Sequence, residues 1–186
     1  MRSIGRFWDL WRRRRRSGSP RPRLLVAQSV TAYIAQTAAA SPAVETGGIL
    51  MGPTSASSSM VAVTYASGPG PRARHERGMF LRDTEYCRKV LQEHYDQFEV
   101  DYVGEWHSHV EPLHRPSGGD IPTIAGIMND PDYDFTAFAM IIAIVGMRKV
   151  DSDATVRLLG FVATRSELVQ VPIEVIDAFS DSSPTG

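Results

Sequence analysis

Tyr102-Val103-Gly104-Glu105-Trp106-His107-Ser108-His109 is a strand-forming run that ends in two histidines, and Pro116-Ser117-Gly118-Gly119-Asp120 follows it closely. Side chains alternate along a strand, so His107 and His109 point to one face and can grip one metal ion. Asp120 adds a hard oxygen ligand where the chain turns into Ile121-Pro122-Thr123-Ile124. That places its carboxylate near a helix N-terminus beside the ligating strand. Two imidazoles and one carboxylate leave one tetrahedral position of Zn²⁺ open for water, the arrangement of a hydrolytic rather than a structural site.

A hydrolase of this kind also needs a base for the proton of that water. The best candidate is Glu45, at the head of Glu45-Thr46-Gly47-Gly48-Ile49-Leu50-Met51-Gly52. This is a small-residue entry into an apolar run that reads as a buried strand, with the carboxylate at the rim of a sheet. Taken together, Glu45, His107-Ser108-His109 and Ser117-Gly118-Gly119-Asp120 resemble the JAB/MPN metalloprotease pattern: a glutamate, a distant His-x-His, and an aspartate eleven residues past the second histidine. The resemblance covers most of residues 24–180. One departure is Val110, where many members carry proline, and it bears on loop geometry rather than on a ligand.

The resemblance implies a single α/β domain with a JAB/MPN-like, cytidine-deaminase-like mixed β-sheet flanked by helices. It also implies metal-assisted amide hydrolysis, with one Zn²⁺ on His107, His109 and Asp120, Glu45 moving the proton, and Ser117 donating a hydrogen bond to the oxyanion. Members of the family cleave after the C-terminal glycine of ubiquitin or ubiquitin-like proteins, at isopeptide or peptide bonds. Gly68-Pro69-Gly70-Pro71, the segment from Phe80 to Asp83 and the histidine strand are similar to the bacterial branch. Those proteases are encoded beside ubiquitin-like activating and conjugating enzymes in antiphage-defence and mobile-element operons. The partners implied are a ubiquitin-like protein, its conjugates and those enzymes. Two other classes stay open: a JAB hydrolase acting on a sulfur-carrier protein in biosynthesis, and a non-catalytic binding module.

The 186 residues suffice for one well-buried domain. A net charge of −1 hides an asymmetry, because residues 1–23 hold nine arginines against Asp9, a net +8, and the remaining 163 hold 11 basic and 20 acidic residues, a net −9. The basic arm suits an acidic partner, an anionic membrane or nucleic acid, or equally an unstructured tail or one docked on the acidic body. Linker chemistry at Ser17-Gly18-Ser19-Pro20, where a secretory signal would place an apolar segment, argues for the cytoplasm. The domain is expected over 24–180, with a flexible C-terminus at 181–186. Cys87 stands alone, which excludes an internal disulfide, and it falls on an apolar helix face with Val90, Leu91, His94, Tyr95 and Phe98.

In chain order the spacing predicts a strand at Leu24–Val26, a helix over Val30–Ala38, and the Glu45 strand. Met60–Ala66 reads as the hairpin partner of that strand. Arg72 to Arg77, with His75, reads as a basic loop, Met79–Leu81 as a strand, and Asp83 as a helix cap. The Asp120 helix should run to about Asn129. Phe135–Val145, Thr155–Thr164 and Leu168–Ile176 read as three sheet strands, none long enough to span a bilayer as a helix. Glu111 and His114, between the ligands, are candidates for substrate contact or for a solvated loop.

Overall fold

The computed structural model describes residues 21–54, 60–110, 112–147 and 154–177, so the arm over residues 1–20, Glu111 and the 181–186 segment lie outside the described residues. In chain order the elements are β1 (Arg23–Ala27), α1 (Gln28–Ala39), β2 (Gly47–Gly52), β3 (Met60–Val63), β4 (Tyr65–Ala66), β5 (Arg74–Glu76) and β6 (Met79–Leu81). There follow α2 (Thr84–Phe98), β7 (Asp101–Val110), α3 (Asp120–Asn129), β8 (Ala137–Met147), β9 (Ala154–Thr164), β10 (Leu168–Val171) and β11 (Ile173–Ile176). The main sheet runs β10-β9-β8-β7-β2-β4, a smaller one β11-β1-β3, and β5 pairs with β6 in a hairpin.

The main sheet is covered on both sides, which explains why β8 is an unbroken apolar run rather than an alternating one. Ala139, Ile141, Ala143 and Val145 pack with Leu50 and Trp106 against Val30 and Ile34 of α1 and Leu24 and Val26 of β1. The intervening Phe138, Met140, Ile142 and Ile144 pack with Ile49 and Met51 against Cys87 of α2 and Ile124 and Met128 of α3. The mixed sheet flanked by helices expected from the sequence is what forms. Among the described residues, no helix is long and apolar enough to cross a membrane.

Two strand readings need correction. Met60–Ala66 is not one hairpin partner of β2: it divides at Thr64, so that β3 pairs in parallel with β1 while only Tyr65 and Ala66 pair with β2. Leu168–Ile176 likewise divides at Pro172, which has no N–H for a ladder; β10 stays on the main sheet beside β9, and β11 crosses to β1. The basic loop is in fact strand β5, paired residue for residue with β6. On α2, Asp83 caps as expected, its carboxylate accepting the Tyr86 N–H at 3.2 Å, and Cys87 is buried. Tyr95 and Phe98, assigned to the buried face, are exposed, and Phe98 stacks on Tyr65.

Candidate metal and catalytic site

Strand β7 lies inside the main sheet, antiparallel to β2 and parallel to β8. A bulge between its pairings with Leu50 and Met51 leaves Val103 without an opposite residue and rephases the strand. Tyr102 therefore falls on the same face as Glu105, and its hydroxyl donates to Glu105 Oε1 at 2.6 Å. Glu105, His107 and His109 follow at alternate positions on the side covered by α2 and α3, while Trp106 faces the α1 core and donates from Nε1 to the Ser67 carbonyl at 2.9 Å. The strand continues through Val110, in register with Val145, so the absence of proline lets the ladder run one residue past the second histidine.

His107 Nε2 and His109 Nε2 stand 3.0 Å apart. Asp120 Oδ1 lies 3.4 Å from the first and Oδ2 3.4 Å from the second. Donors held tetrahedrally at about 2.0 Å from a zinc ion stand about 3.3 Å from one another. The two 3.4 Å contacts use different oxygens of Asp120, and one donor from each residue lies within 4.8 Å of the others, so the three side chains suit such an ion after a small turn of the carboxylate. His109 is buried, and its Nδ1 has no hydrogen-bond partner among the described residues, which leaves the ring's polar contacts at its Nε2 end. Asp120 opens α3, with Pro122 in the first turn, where a missing N–H costs nothing. Burial works to raise the Asp120 carboxyl, but hydrogen bonds with His107 and His109 outweigh it and hold the group well below the usual carboxylate range.

Glu45 lines the same cleft, of about 400 Å³, together with His107, Ser117 and Asp120. It arrives there because Gly47 lets β2 press against β7: a Cβ on Gly47 would lie 2.3 Å from the Trp106 carbonyl oxygen and 2.9 Å from His107 Cβ. Burial pushes the Glu45 carboxyl up; His109 and His107 oppose this, and Asp120 adds to it. Ser117 sits at the turn into α3. Its Oγ accepts the N–H groups of Gly119 and Asp120 at 3.2 and 3.3 Å, and its own N–H donates to Asp120 Oδ2 at 2.5 Å. The serine thus braces the Asp120 carboxylate as well as lining the cleft.

The structure brings Glu45, His107, His109, Ser117 and Asp120 together. His114 instead meets Arg157 of β9. The segment noted for its bacterial-branch likeness also completes the cleft, a role not read from the sequence: Phe80 and Leu81 of the hairpin line it, as does Arg82, which forms an ion pair with Glu105. Glu105 was detectable, since it lies two residues before His107 on a strand. His75 was not, because nothing in an arginine-rich segment signals that its Nδ1 meets the Glu45 carbonyl oxygen at 2.9 Å.

A mixed sheet that carries His-x-His on an inner strand, with an aspartate at the following helix, defines the JAB/MPN type of fold and site. The family described as prokaryotic homologs of the JAB domain matches residues 27–158, and the chain belongs to it. A curated protein of Enterobacter hormaechei subsp. hoffmannii (strain UCI 50), named CD-NTase/cGAS isopeptidase, is 34% identical over 98 residues, 53% of this chain and 54% of that protein. The chain thus spans about half the length of that relative. A solution structure from Desulfitobacterium hafniense superposes with a TM-score of 0.57 at 14% identity, covering 83% of this chain and 93% of that one. Another, from Salinibacter ruber (strain DSM 13855), superposes with a TM-score of 0.52 at 20% identity, covering 84% and 94%. These two likenesses concern the fold alone.

Proposed function

We propose that the chain is a zinc-dependent isopeptidase or peptidase that cleaves after the C-terminal glycine of a ubiquitin-like protein. The observation that carries this reading is the convergence of two imidazoles and a carboxylate beside a partly buried glutamate in one cleft. Zn²⁺ held by His107, His109 and Asp120 would supply Lewis acidity and bring the pKa of a water to ~7. Glu45 is suited to accept that water's proton at a carboxylate oxygen and to pass it to the leaving nitrogen, because burial moves its carboxyl toward neutrality. Ser117 Oγ already accepts two backbone N–H groups, and its own O–H remains to donate to the developing oxyanion. Gly48 and Gly78 line the cleft without side chains, and Phe80 and Leu81 add apolar surface, which suits a thin glycine-ended tail.

The name of the Enterobacter relative points the same way, since an isopeptidase cuts the amide that joins a carboxyl terminus to a lysine side chain. The test is to incubate the zinc-loaded protein with a panel of bacterial ubiquitin-like proteins, each fused through its C-terminal glycine to a fluorescent reporter. Wild type should release the reporter, and Glu45→Ala should be slower by roughly 10²–10⁴-fold with zinc still bound. Release by Glu45→Ala at the wild-type rate, or no release from any fusion, would sink the proposal.

A further inference from the structure

Glu45 lies two residues before β2, outside its ladder, and its main chain is held from elsewhere. Its N–H donates to the Glu76 carbonyl at 2.8 Å, and its own carbonyl accepts from His75 Nδ1 at 2.9 Å. Both bonds go to β5. The next residue, Thr46, is tied instead to β7: its N–H donates to Ser108 Oγ at 2.9 Å, and its carbonyl accepts the Ser108 N–H at 2.7 Å. The chain therefore passes from the hairpin to the ligand strand between two consecutive residues, with Glu45 on the hairpin side. His75 also tilts against Phe80, with ring centroids 5.5 Å apart, and Phe80 lines the cleft beside Gly78, Met79 and Leu81.

We propose that His75 is a positioning residue for Glu45, and that the β5–β6 hairpin, which forms one wall of the substrate cleft, thereby also sets the base. The inference rests on the role given to Glu45 above. A carbonyl oxygen can only accept, so His75 must carry its proton on Nδ1. With the ring clamped between the Glu45 carbonyl and Phe80, contact between a substrate tail and the hairpin acts on the peptide unit that carries the catalytic carboxylate. His75 itself touches neither the ligands nor the reacting atoms.

The experiment uses the full-length zinc-loaded protein and three variants. His75→Phe keeps the ring against Phe80 but removes the donor. His75→Gln places an amide nitrogen at the Nε2 position, and His75→Asn places one where Nδ1 stands. Three quantities are read: kcat and KM on a releasable ubiquitin-like fusion, zinc content, and hydrogen exchange at the Glu45 amide. His75→Phe and His75→Gln should lower kcat roughly 3–10-fold, the effect of one net hydrogen bond. KM and zinc should stay within twofold, and Glu45 amide exchange should be faster. His75→Asn should recover most of kcat and the slow exchange. In the wild type, nitrogen NMR should find the His75 proton on Nδ1.

Wild-type kcat and unchanged Glu45 exchange in His75→Phe and His75→Gln would overturn the proposal, as would a His75→Asn variant no better than His75→Gln. If the wild-type chain releases nothing, the proposed function falls, while the exchange rate and the NMR tautomer still decide whether His75 holds Glu45.

Discussion

His107 and His109 stand on a strand paired along both edges, with Gly47 of β2 opposite His107 on one side and Ile142 and Ile144 of β8 beside the two histidines on the other. Across the cleft, Gly78 to Leu81 belong to a hairpin of three residues a side, in which Met79 and Leu81 are 38% and 49% exposed. One wall is held by the whole domain, the other by a few local bonds. Two of the three proposed metal ligands, His107 and His109, sit on the first wall, and the main chain of Glu45 hangs from the second. The difference teaches that the two halves of the proposed site can fail separately.

The largest effect expected from attacking the sheet wall is loss of metal. His107→Ala combined with His109→Ala should lower zinc from about one per chain to none by elemental analysis, because a single carboxylate is left from a three-ligand set. Hydrogen exchange at the Glu45 amide should not change, since its bonds run to the hairpin. Retention of zinc in that double variant would break the assignment of the ligand wall.

A smaller effect should follow from crowding the same wall without touching its chemistry. A Cβ on Gly104 would lie 2.4 Å from the Ala139 carbonyl oxygen, inside the β7–β8 ladder. Gly104→Ala should therefore cost about 1–3 kcal/mol in urea unfolding, the range seen when a packed interior is overfilled. A cost near zero would show the sheet wall to be as pliant as the hairpin and would erase the contrast.

The smallest effect concerns the hairpin's anchor. The Asp83 carboxylate accepts the Arg72 N–H at 3.2 Å and pairs with the Arg72 guanidinium, so the residues that flank the hairpin are pinned to each other. Hydrogen bonding from Arg72, opposed by burial, holds the Asp83 carboxyl below its ordinary value. A depressed folded value means that the stabilisation is complete above the unfolded value of ~3.9 and disappears as pH falls through the lower folded one. Asp83→Asn keeps a capping side chain but loses the charge. It should lower the urea midpoint modestly at pH 7 and speed exchange of the β5–β6 amides more than those of β7–β8. The gap from wild type should close as pH falls below about 4. A gap that persists at low pH would locate the effect in something other than ionisation.

Much of the ligand wall was legible because its determinants are local. Alternation placed His107 and His109 on one face, and Asp120 lay at a recognisable helix start thirteen residues from His107. Glu45 was legible only as the head of a small-residue strand entry, and the family pattern reinforced it, since His107 is 62 residues away and nothing nearby names it as a neighbour. The allotment of strands to two sheets was not legible: Met60–Ala66 keeps one period across Thr64, and both sheets accept that period equally well. Pro172 was a visible break that the apolar run around it concealed. The β5 strand went unread because three residues rich in charge carry no periodicity, and its order comes from bonds to Glu45 and to β6.

The parallel pairing of β1 with both β3 and β11 has a consequence during synthesis. β3 can dock on β1 after some forty residues, but the other edge of β1 waits for Ile173–Ile176, roughly 110 residues further on. At translation rates of about 5–20 residues per second, Leu24 and Val26 remain beside an open strand edge for roughly 5–20 seconds. Through that interval the nascent chain presents an unfilled slot of the kind that recruits foreign strands. Closing it joins segments from near opposite ends of the chain, a pairing of very large sequence separation that ranks among the slow steps of folding. The cleft elements from β2 to α3 are all made before β11, so a ribosome-bound chain can hold every residue of the proposed site while the smaller sheet is still incomplete.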